Sequence, residues 1–393
     1  METTEMVPSL RFPGFEVEWV KNKLGNLFGI KSSSRVHKHE WSTKGVPFFR
    51  TSDVVSFFNG TKNKKAYIPF ELYNSLSNKM GRVKKNDLLV TGGGSIGIPF
   101  LIKNNEPLFF KDADLLWIQN INNLNGYFIY SYFVSESFRK YLKGISHIGT
   151  IAHYTIIQAK KTPCFFPSLQ EQQKIASFLS SVDDKISQLE KKKTLLETYK
   201  RGIMQKIFSQ ELRFKDENGQ EFSEWELTDL GSISDIKIGE FVIKTKQSPN
   251  GKFPVYNGGK TETGYYDEYN NEGDKVIISA RGANAGYVNY EKNRFWGGNS
   301  CYSIKILNGN NTIFFFQQIK HFQRKFTDYQ QAANIPSVSK KDVAIFKVSV
   351  PIKKEQQKIA SFLSSIDNKI EITSTQLEKT REFKKGLLQQ MFV

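Results

Sequence analysis

Apolar residues recur every three or four positions along two long stretches of the chain, one near the middle and one at the C-terminus. Such a spacing, kept over several helical turns, is typical of the seam of a coiled coil. We therefore predict two long helices, over 168–211 and 352–393, that pair through these apolar residues. The predicted helix-pair interface consists of Ile175, Leu179, Val182, Ile186 and Leu189 in the first stretch and Ile359, Leu363, Ile366, Ile370 and Leu377 in the second.

The two stretches are copies of one sequence. EQQKIASFLSSVDDKI at 171–186 returns as EQQKIASFLSSIDNKI at 355–370, with differences at two positions only. A repeat at one large period indicates a chain built twice from the same unit. If a pseudo-two-fold axis relates the halves, the two helices must run antiparallel. The second helix then returns the C-terminus to the neighbourhood of the first variable segment.

The two copies differ in the signals at their starts and in their polar positions. Ser168 followed by Glu171 predicts a capping box at the start of the first helix. Ile352 stands at the position of Ser168 in the second copy, so we expect a less well capped start there. Thr373 and Thr380 interrupt the second stripe, and they either fix the register of the pair or reflect drift at a solvated midsection.

The segments outside the repeat predict sheet-rich domains. Short β-branched and aromatic runs alternate with Gly and Asn turns, and both segments begin with an LRF sequence followed by a Trp. The sequence at 87–97 also aligns loosely with the sequence at 274–286. The expected fold class is α+β, with two mixed α/β domains separated by an antiparallel coiled coil and related by pseudo-two-fold symmetry. The predicted parts are a first domain at 1–167, a central helix at 168–211, a second domain at 212–351 and a C-terminal helix at 352–393.

Length and composition bound the class of protein. A chain of 393 residues is too long for one core, and no apolar run approaches the length of a membrane span. The N-terminus lacks the pattern of a secretory signal. Cys164 and Cys301 stand alone, one in each half, which favours a reducing compartment over a disulfide framework. We therefore expect a cytoplasmic protein.

The net charge of +17 points toward a polyanion, although a merely soluble basic protein also fits it. Lys and Arg suit phosphates and guanine edges, and Asn suits adenine. For each residue the alternative is an ordinary solvent-facing side chain. The candidate DNA contacts are Lys31, Arg35, Lys38, Lys44, Arg50, Thr51, Lys62, Lys64, Lys65, Lys244, Lys246, Tyr256, Asn257, Lys260, Thr261, Arg281, Asn284 and Arg294.

Two glycine-rich segments invite comparison with phosphate-binding loops and do not match them. TGGGSIG at 91–97 leads into another strand, whereas such a loop must open a helix. NGGKT at 257–261 lacks the earlier glycine of a Walker motif, because Pro254 stands there. Hairpin or bulge glycines are the better interpretation. The five histidines show no metal-ligand spacing, so we expect no metal site, no catalytic residues and a non-catalytic chain.

The doubled helix, entered through PSLQEQQKI or PIKKEQQKI, resembles the specificity subunit of Type I restriction-modification systems. The VPFFRTSDV run at 46–54 and FPVYNGGKTETGYYDEY at 253–269 also resemble that family, so that the resemblance spans essentially the whole chain. It implies two target-recognition domains, each gripping one half of a split DNA sequence and held apart by the helix pair.

The resemblance also implies partners and cofactors. The expected partners are double-stranded DNA, two modification (methyltransferase) subunits and restriction subunits that translocate and cleave. S-adenosylmethionine, ATP and Mg are expected on those subunits, and no cofactor is expected on this chain. Two alternatives stay open at this point: a single-chain DNA methyltransferase or nuclease with an unrecognised active site, and a coiled-coil protein that bridges DNA without sequence preference.

Overall fold

Two compact units make up the chain in the computed structural model, which describes residues 7–146, 153–328 and 336–393. Unit 1 combines 1–189 with 376–393, and unit 2 consists of 190–375. Each unit therefore contains one globular domain and one segment of each long helix. The predicted division at 167, 211 and 351 assigns both helices to separate parts and stays a prediction.

The strands of unit 1 are β1 (Val20–Lys23), β2 (Gly29–Lys31), β3 (Val46–Phe49), β4 (Ala66–Ile68), β5 (Leu88–Thr91), β6 (Pro99–Leu101), β7 (Phe109–Phe110), β8 (Leu115–Gln119) and β9 (Pro163–Phe166). They form a four-stranded antiparallel sheet in the order β2-β8-β5-β6, a three-stranded sheet in the order β4-β3-β7 and a β1-β9 pair. Its shorter helices are α1 (Leu24–Leu27), α2 (Thr51–Phe58), α3 (Phe70–Met80), α4 (Gly126–Val134), α5 (Glu136–Ser146) and α6 (Ile156–Lys161). The first long helix, α7 (Leu169–Phe208), begins in unit 1 and continues into unit 2.

Unit 2 repeats this topology. Its strands are β10 (Glu226–Asp229), β11 (Ser234–Ile238), β12 (Phe253–Tyr256), β13 (Gly264–Tyr266), β14 (Lys275–Ser279), β15 (Val288–Glu291), β16 (Trp296–Gly297), β17 (Cys301–Ile306) and β18 (Lys347–Val350). The sheets have the orders β11-β17-β14-β15 and β13-β12-β16, with a β10-β18 pair. Its helices are α8 (Thr312–His321), α9 (Arg324–Asp328), α10 (Lys340–Ala344) and α11 (Lys353–Gln390), the last of which ends in unit 1. Two sequences that diverge almost completely thus form the same sheets.

The long helices run antiparallel within each unit, as predicted. In unit 1, Lys384 pairs with Asp183 at 2.6 Å. There Trp19 bonds to Glu171 near the start of α7 and contacts the ring of Phe392 beyond the end of α11. The C-terminus therefore returns to the first domain, which confirms the expectation.

The same arrangement occurs in unit 2. Lys200 pairs with Asp367 at 2.6 Å, and these residues are the repeat equivalents of Lys384 and Asp183. Trp225 bonds to Glu355 near the start of α11 and packs on Phe314, which also touches Phe208 at the end of α7.

The residues of the predicted helix-pair interface also belong to the hydrophobic cores of the two domains. Ile175, Leu179 and Val182 lie in one hydrophobic core with Trp19 and Met391, and Ile186 packs against it. Ile359, Leu363 and Ile366 share the core of unit 2 with Ile207 and Phe208, and Ile370 packs against that core. Leu189 and Leu377 are buried as well. The spacing predicted a seam between helices, and the structure shows a seam that each globular domain also covers.

Of the two hydrogen bonds in the capping box predicted at the first helix, one forms and the other does not. The Glu171 N–H donates to Ser168 Oγ at 3.3 Å, as predicted. The Glu171 carboxylate, however, binds Arg11 and Trp19 instead of returning to the helix start. A charged Arg donor binds a carboxylate more strongly than a neutral N–H does, and so it takes the glutamate. Of the two polar interruptions, Thr373 and Thr380 both donate to carbonyls one turn earlier in α11.

Every helix in the described part of the chain is too short or too polar to form a transmembrane span.

Candidate nucleic-acid interface

A buried ionic clamp fastens the start of the first domain to α7. Arg11 donates to both carboxylate oxygens of Glu171, at 2.7 and 2.8 Å, and Trp19 Nε1 donates to Oε1 at 3.3 Å. The Glu171 side chain is only 2% exposed. The hydrogen bonds to Glu171 raise the pKa of Arg11, so the guanidinium remains charged.

Unit 2 contains the same clamp. Arg213 donates to the two oxygens of Glu355 at 3.3 and 3.0 Å, and Trp225 Nε1 donates to Oε2 at 3.0 Å. The two glutamates belong to the repeated helix, and the Arg and Trp belong to the repeated segment that starts with LRF. The repeated helix and the repeated LRF segment are therefore the two partners in one contact, which occurs once in each unit.

The neighbouring glutamine ties a second helix of each domain to the long helix. Gln172 Oε1 accepts from the Asn125 N–H at 3.2 Å, and Gln356 Oε1 accepts from the Asn311 N–H at 2.8 Å. The asparagines are the N-cap residues of α4 and α8. The repeated sequence thus positions equivalent elements in both domains.

The glycine-rich segments at 91–97 and 257–261 form hairpin turns, as the sequence predicted, and so does the segment at 280–287. Strands β5 and β6 flank 92–98, β12 and β13 flank 257–263, and β14 and β15 flank 280–287. Gly97 and Gly286 close the first and the last of these turns with φ of +73° and +83°, a conformation that L residues rarely adopt. A Cβ at Gly97 would overlap Leu142, and one at Gly286 would lie 2.7 Å from Phe326 Cβ.

Five candidate residues meet on one surface of unit 2. The loop at 257–261 packs on the turn at 280–287, because Ser279 Oγ donates to the Gly259 carbonyl at 3.0 Å and Asn284 Nδ2 to the Gly258 carbonyl at 3.4 Å. We define the hairpin surface as Asn257, Lys260, Thr261, Arg281 and Asn284. Within it Lys260, Thr261 and Arg281 are exposed.

The other candidates of unit 2 lie outside this surface or have partners within their own unit. Lys246 pairs with Glu268 at 3.4 Å, and Lys244 is exposed in the same short 3-10 helix. Arg294 pairs with Glu272 at 2.9 Å and lies over the ring of Tyr269. The Tyr256 hydroxyl donates to Glu291 at 2.9 Å, and burial followed by this carboxylate raises the pKa of Tyr256.

In unit 1 the structure separates exposed candidates from internal ones. The exposed set comprises Arg35, Lys38, Lys44, Lys62, Lys64 and Lys65, which lie in the segments before β3 and after α2. Arg50 pairs with Asp53 at 2.7 Å, and Lys31 donates to the Met80 carbonyl at 2.5 Å. The Thr51 hydroxyl is buried and finds no hydrogen-bond partner among the described residues. A role in DNA contact stays a prediction for every residue of the candidate set.

Lys320 on α8 belongs to the neighbourhood of the hairpin surface and was missed in the sequence. Its Nζ lies 3.5 Å from the ring centre of Tyr287 and donates to the Val288 carbonyl at 2.6 Å. Burial, followed by the charges of Lys200 and Lys260, lowers the pKa of Lys320 to about 8. No signal marked this residue, because it lies in an apolar helix far along the chain from the hairpin.

Groups suited to other chemistry are sparse in the described residues. No cluster of three His, Cys, Asp or Glu side chains within 7–146, 153–328 and 336–393 is arranged to hold a metal ion. Cys164 and Cys301 are buried, and burial raises the pKa of each thiol to about 12. Neither thiol is therefore ionised at neutral pH.

Known proteins share this architecture and sequence pattern. A putative type I specificity subunit of Mycoplasma genitalium is 23% identical over 98% of this chain and 97% of its own length. The putative type I restriction enzyme MjaX specificity subunit of Methanocaldococcus jannaschii is 28% identical over 70% of this chain and 69% of its own. The crystal structure of a Type I restriction-modification S subunit from M. genitalium matches with a TM-score of 0.68 at 22% identity, covering 99% of both chains, and so shares the fold.

The family model described as Type I restriction modification DNA specificity domain matches residues 16–198 and again residues 222–380. The two matches cover most of the chain, with one match for each globular domain. This chain therefore belongs to the Type I restriction-modification DNA specificity family and is a specificity subunit with two DNA-recognition domains.

Proposed function

We propose that this subunit reads a DNA target split into two half-sites, one domain to each, and scaffolds the modification and restriction subunits. One observation carries the proposal: two domains of identical strand order have the same Arg–Glu–Trp clamp but different loops and hairpins. A constant frame with two different surfaces suits a target of two unlike parts. Two recognition domains that bind the same face of B-DNA contact half-sites about one helical turn apart, about 34 Å.

The proposed partners follow from the family and from the repeat. A frame that occurs twice offers the same contact to two copies of one partner, which supports two modification subunits. We assign S-adenosylmethionine and adenine methylation to those subunits, and ATP and Mg to the restriction subunits. The proposed location is the cytoplasm, whose reducing conditions suit two free, buried cysteines.

Methylation of an adenine in a duplex requires the specificity subunit to hold the DNA in place. The modifying enzyme must turn the base out of the stack, which costs a few kcal/mol. The duplex must stay in place meanwhile, and contacts to phosphates fix its register without reading sequence. The basic loops of both domains suit this task.

A domain exchange tests the proposal. Residues 26–166 are replaced by the corresponding segment of another specificity subunit, which leaves Arg11, Trp19 and Glu171 in place. The chimera is co-expressed with the modification subunits, and the methylated motif is determined by methylation-sensitive sequencing. We expect one half of the motif to change and the other to persist.

The reciprocal exchange of 232–350 is the matched control, because it preserves the clamp of unit 2 and should alter the opposite half. A change of both halves in either chimera would contradict modular reading. Methylation or cleavage by the purified chain alone would instead favour a single-chain enzyme. Equal affinity for all duplexes, with a steep loss in salt, would favour a bridging protein.

A further inference from the structure

Lysines gather around one tyrosine at the base of the hairpin in unit 2. The ring centre of Tyr287 lies 3.5 Å from Lys320 Nζ and 5.9 Å from Lys260 Nζ. The two lysines come from different elements, α8 and the loop at 257–261. Lys200 of α7 contributes a third positive charge that acts on Lys320.

Little negative charge offsets this cluster. Asp367 pairs with Lys200 at 2.6 Å and accepts from Gln317 Nε2 at 2.7 Å, so it offsets the charge of Lys200 and leaves the charges of Lys260 and Lys320. Among the described residues, no ion pair joins Lys260 or Lys320 to a carboxylate. Burial, followed by the charges of Lys200 and Lys260, lowers the pKa of Lys320.

The donors of the cluster suit an anion. The Tyr287 hydroxyl makes no hydrogen bond to the described residues, and Lys260 is exposed with its Nζ 5.9 Å from the centre of the Tyr287 ring. The NGGKT loop lacks the helix that a nucleotide-binding loop needs, but it still directs its lysine toward the hairpin. A phosphate group would supply the missing negative charge, and a phosphate on a DNA strand would bring it to the foot of the hairpin surface.

We propose that Lys260 and Lys320 together bind one backbone phosphate of the target duplex at the foot of the 280–287 hairpin. This inference rests on the proposed function and assigns these lysines to positioning the duplex rather than to reading bases. Lys260 supplies an exposed ammonium group, and Lys320 supplies a half-buried one that Tyr287 holds in place. The site belongs to unit 2 alone.

The test measures DNA affinity of the full chain assembled with its modification subunits. Fluorescence anisotropy is recorded with the methylated target and with an unrelated duplex, between about 50 and 200 mM salt. We expect Lys320→Met to weaken both affinities alike, by about 5- to 10-fold, and to lower the salt slope by about 1. Lys320→Arg should retain most of the affinity, which separates loss of charge from misfolding.

Lys305→Met is the matched control, because Lys305 is an exposed lysine of β17 and its loss removes the same charge. It should leave both affinities within about 2-fold of wild type. An equal loss in Lys305→Met would overturn the site in favour of general charge. Unchanged binding in Lys320→Met, with discrimination between duplexes intact, would overturn the site and leave the proposed function standing.

Two further readouts locate the phosphate. Replacing single phosphates of the target by neutral methylphosphonates should reveal one position at which wild type and Lys320→Met bind equally. Inorganic phosphate at millimolar concentration should compete weakly with the duplex. Binding of inorganic phosphate that requires Lys320, without any effect of Lys320→Met on duplex affinity, would count against a DNA phosphate.

The pH dependence supplies an independent check. Lys320 faces Lys260 from the loop, Lys200 from α7 and Tyr287 from the hairpin, with His321 next to it on α8. A bound phosphate favours the ammonium form, so binding takes up a proton above the free pKa of about 8. Affinity should therefore fall as the pH rises through that value in the wild type. The fall should be absent in Lys320→Met, and its persistence there would contradict the assignment.

Discussion

The hairpins of the two domains have the same connections and different surroundings. In unit 1 the turn at 92–98 lies beside Asp114 and His153, and a Cβ at Gly93 would sit 3.0 Å from the Asp114 carboxylate. In unit 2 the turn at 280–287 lies above Lys260 and Lys320. Asp114 itself pairs with Lys111 at 2.6 Å, and Arg139 of α5 donates to the Ile96 carbonyl of the first turn at 3.2 Å. The two hairpins therefore meet different charged groups on one topology, so the frame does not dictate what the hairpin contacts.

A second difference lies between the strands of the smaller sheet. In unit 1 helix α2 separates β3 from β4, whereas a loop alone joins β12 to β13 in unit 2. Together with β6, α2 lines an open pocket of about 680 Å³ whose walls include Phe49, Phe57 and Phe100. The pocket shows that each domain adds its own surface to sheets of the same strand order. The Arg–Glu–Trp clamps that hold the two domains remain the same.

The largest expected effect comes from removing the clamps. Glu171→Ala leaves a mostly buried guanidinium without its carboxylate partner, with only the Val17 carbonyl as acceptor, and breaking such a pair costs about 3–5 kcal/mol of unfolding free energy. Glu355→Ala should cost unit 2 the same within about 1 kcal/mol. Hydrogen exchange resolved by segment measures each unit separately. A large loss in one unit and a small one in the other would break the equivalence of the clamps.

The hairpin glycines give the next effect. Gly97→Ala should destabilise unit 1 by about 2–4 kcal/mol, because strain at φ of +73° adds to the overlap with Leu142. Gly94→Ala is the matched control, since φ is +70° there but no atom lies within 4 Å of the added Cβ. It should cost about 1 kcal/mol in a thermal or urea unfolding curve. Equal losses for the two variants would show that packing under the turn contributes nothing.

Two arginines of unit 2 test whether a candidate DNA contact without an ion pair contributes more to binding than one that has an ion-pair partner. Arg281→Ala should weaken binding of the methylated target by about 10-fold and relax the choice of base at one position, because Arg281 is exposed on the hairpin surface. Arg294→Ala should cost less than about 3-fold, since Glu272 already pairs with its guanidinium. Competition binding with single-base variants of the target measures both. A larger effect of Arg294→Ala would show that the hairpin surface was chosen wrongly.

The smallest effect is expected at the ion pairs between the long helices. Lys384→Ala and Lys200→Ala should each cost about 1 kcal/mol or less, because their carboxylate partners are 33% and 42% exposed. The loss should shrink at high salt. Asp183 also accepts from Tyr127, whereas Asp367 accepts from Gln317. A double-mutant cycle that gave unequal coupling in the two units would assign the difference to these neighbours.

Sequence reasoning succeeded where the signal is local or repeated. The three- and four-residue spacing around Ile175 and Ile359 predicted both long helices, because helical faces follow from neighbours within one or two turns. The glycines at 91–97 predicted a hairpin, because the strands on either side are adjacent in sequence. The doubled sequence also predicted the antiparallel direction, since chain connectivity constrains a symmetric pair.

The sequence by itself therefore determined the repeat, the helices, the hairpins and the family. Only the tertiary structure decided that Glu171 serves Arg11 rather than its own helix start, and that Lys320 lies beside Lys260. Arg11 and Glu171 are 160 residues apart. Contacts across such separations depend on which elements the fold brings together, and that information is distributed over the whole chain rather than carried by neighbouring residues.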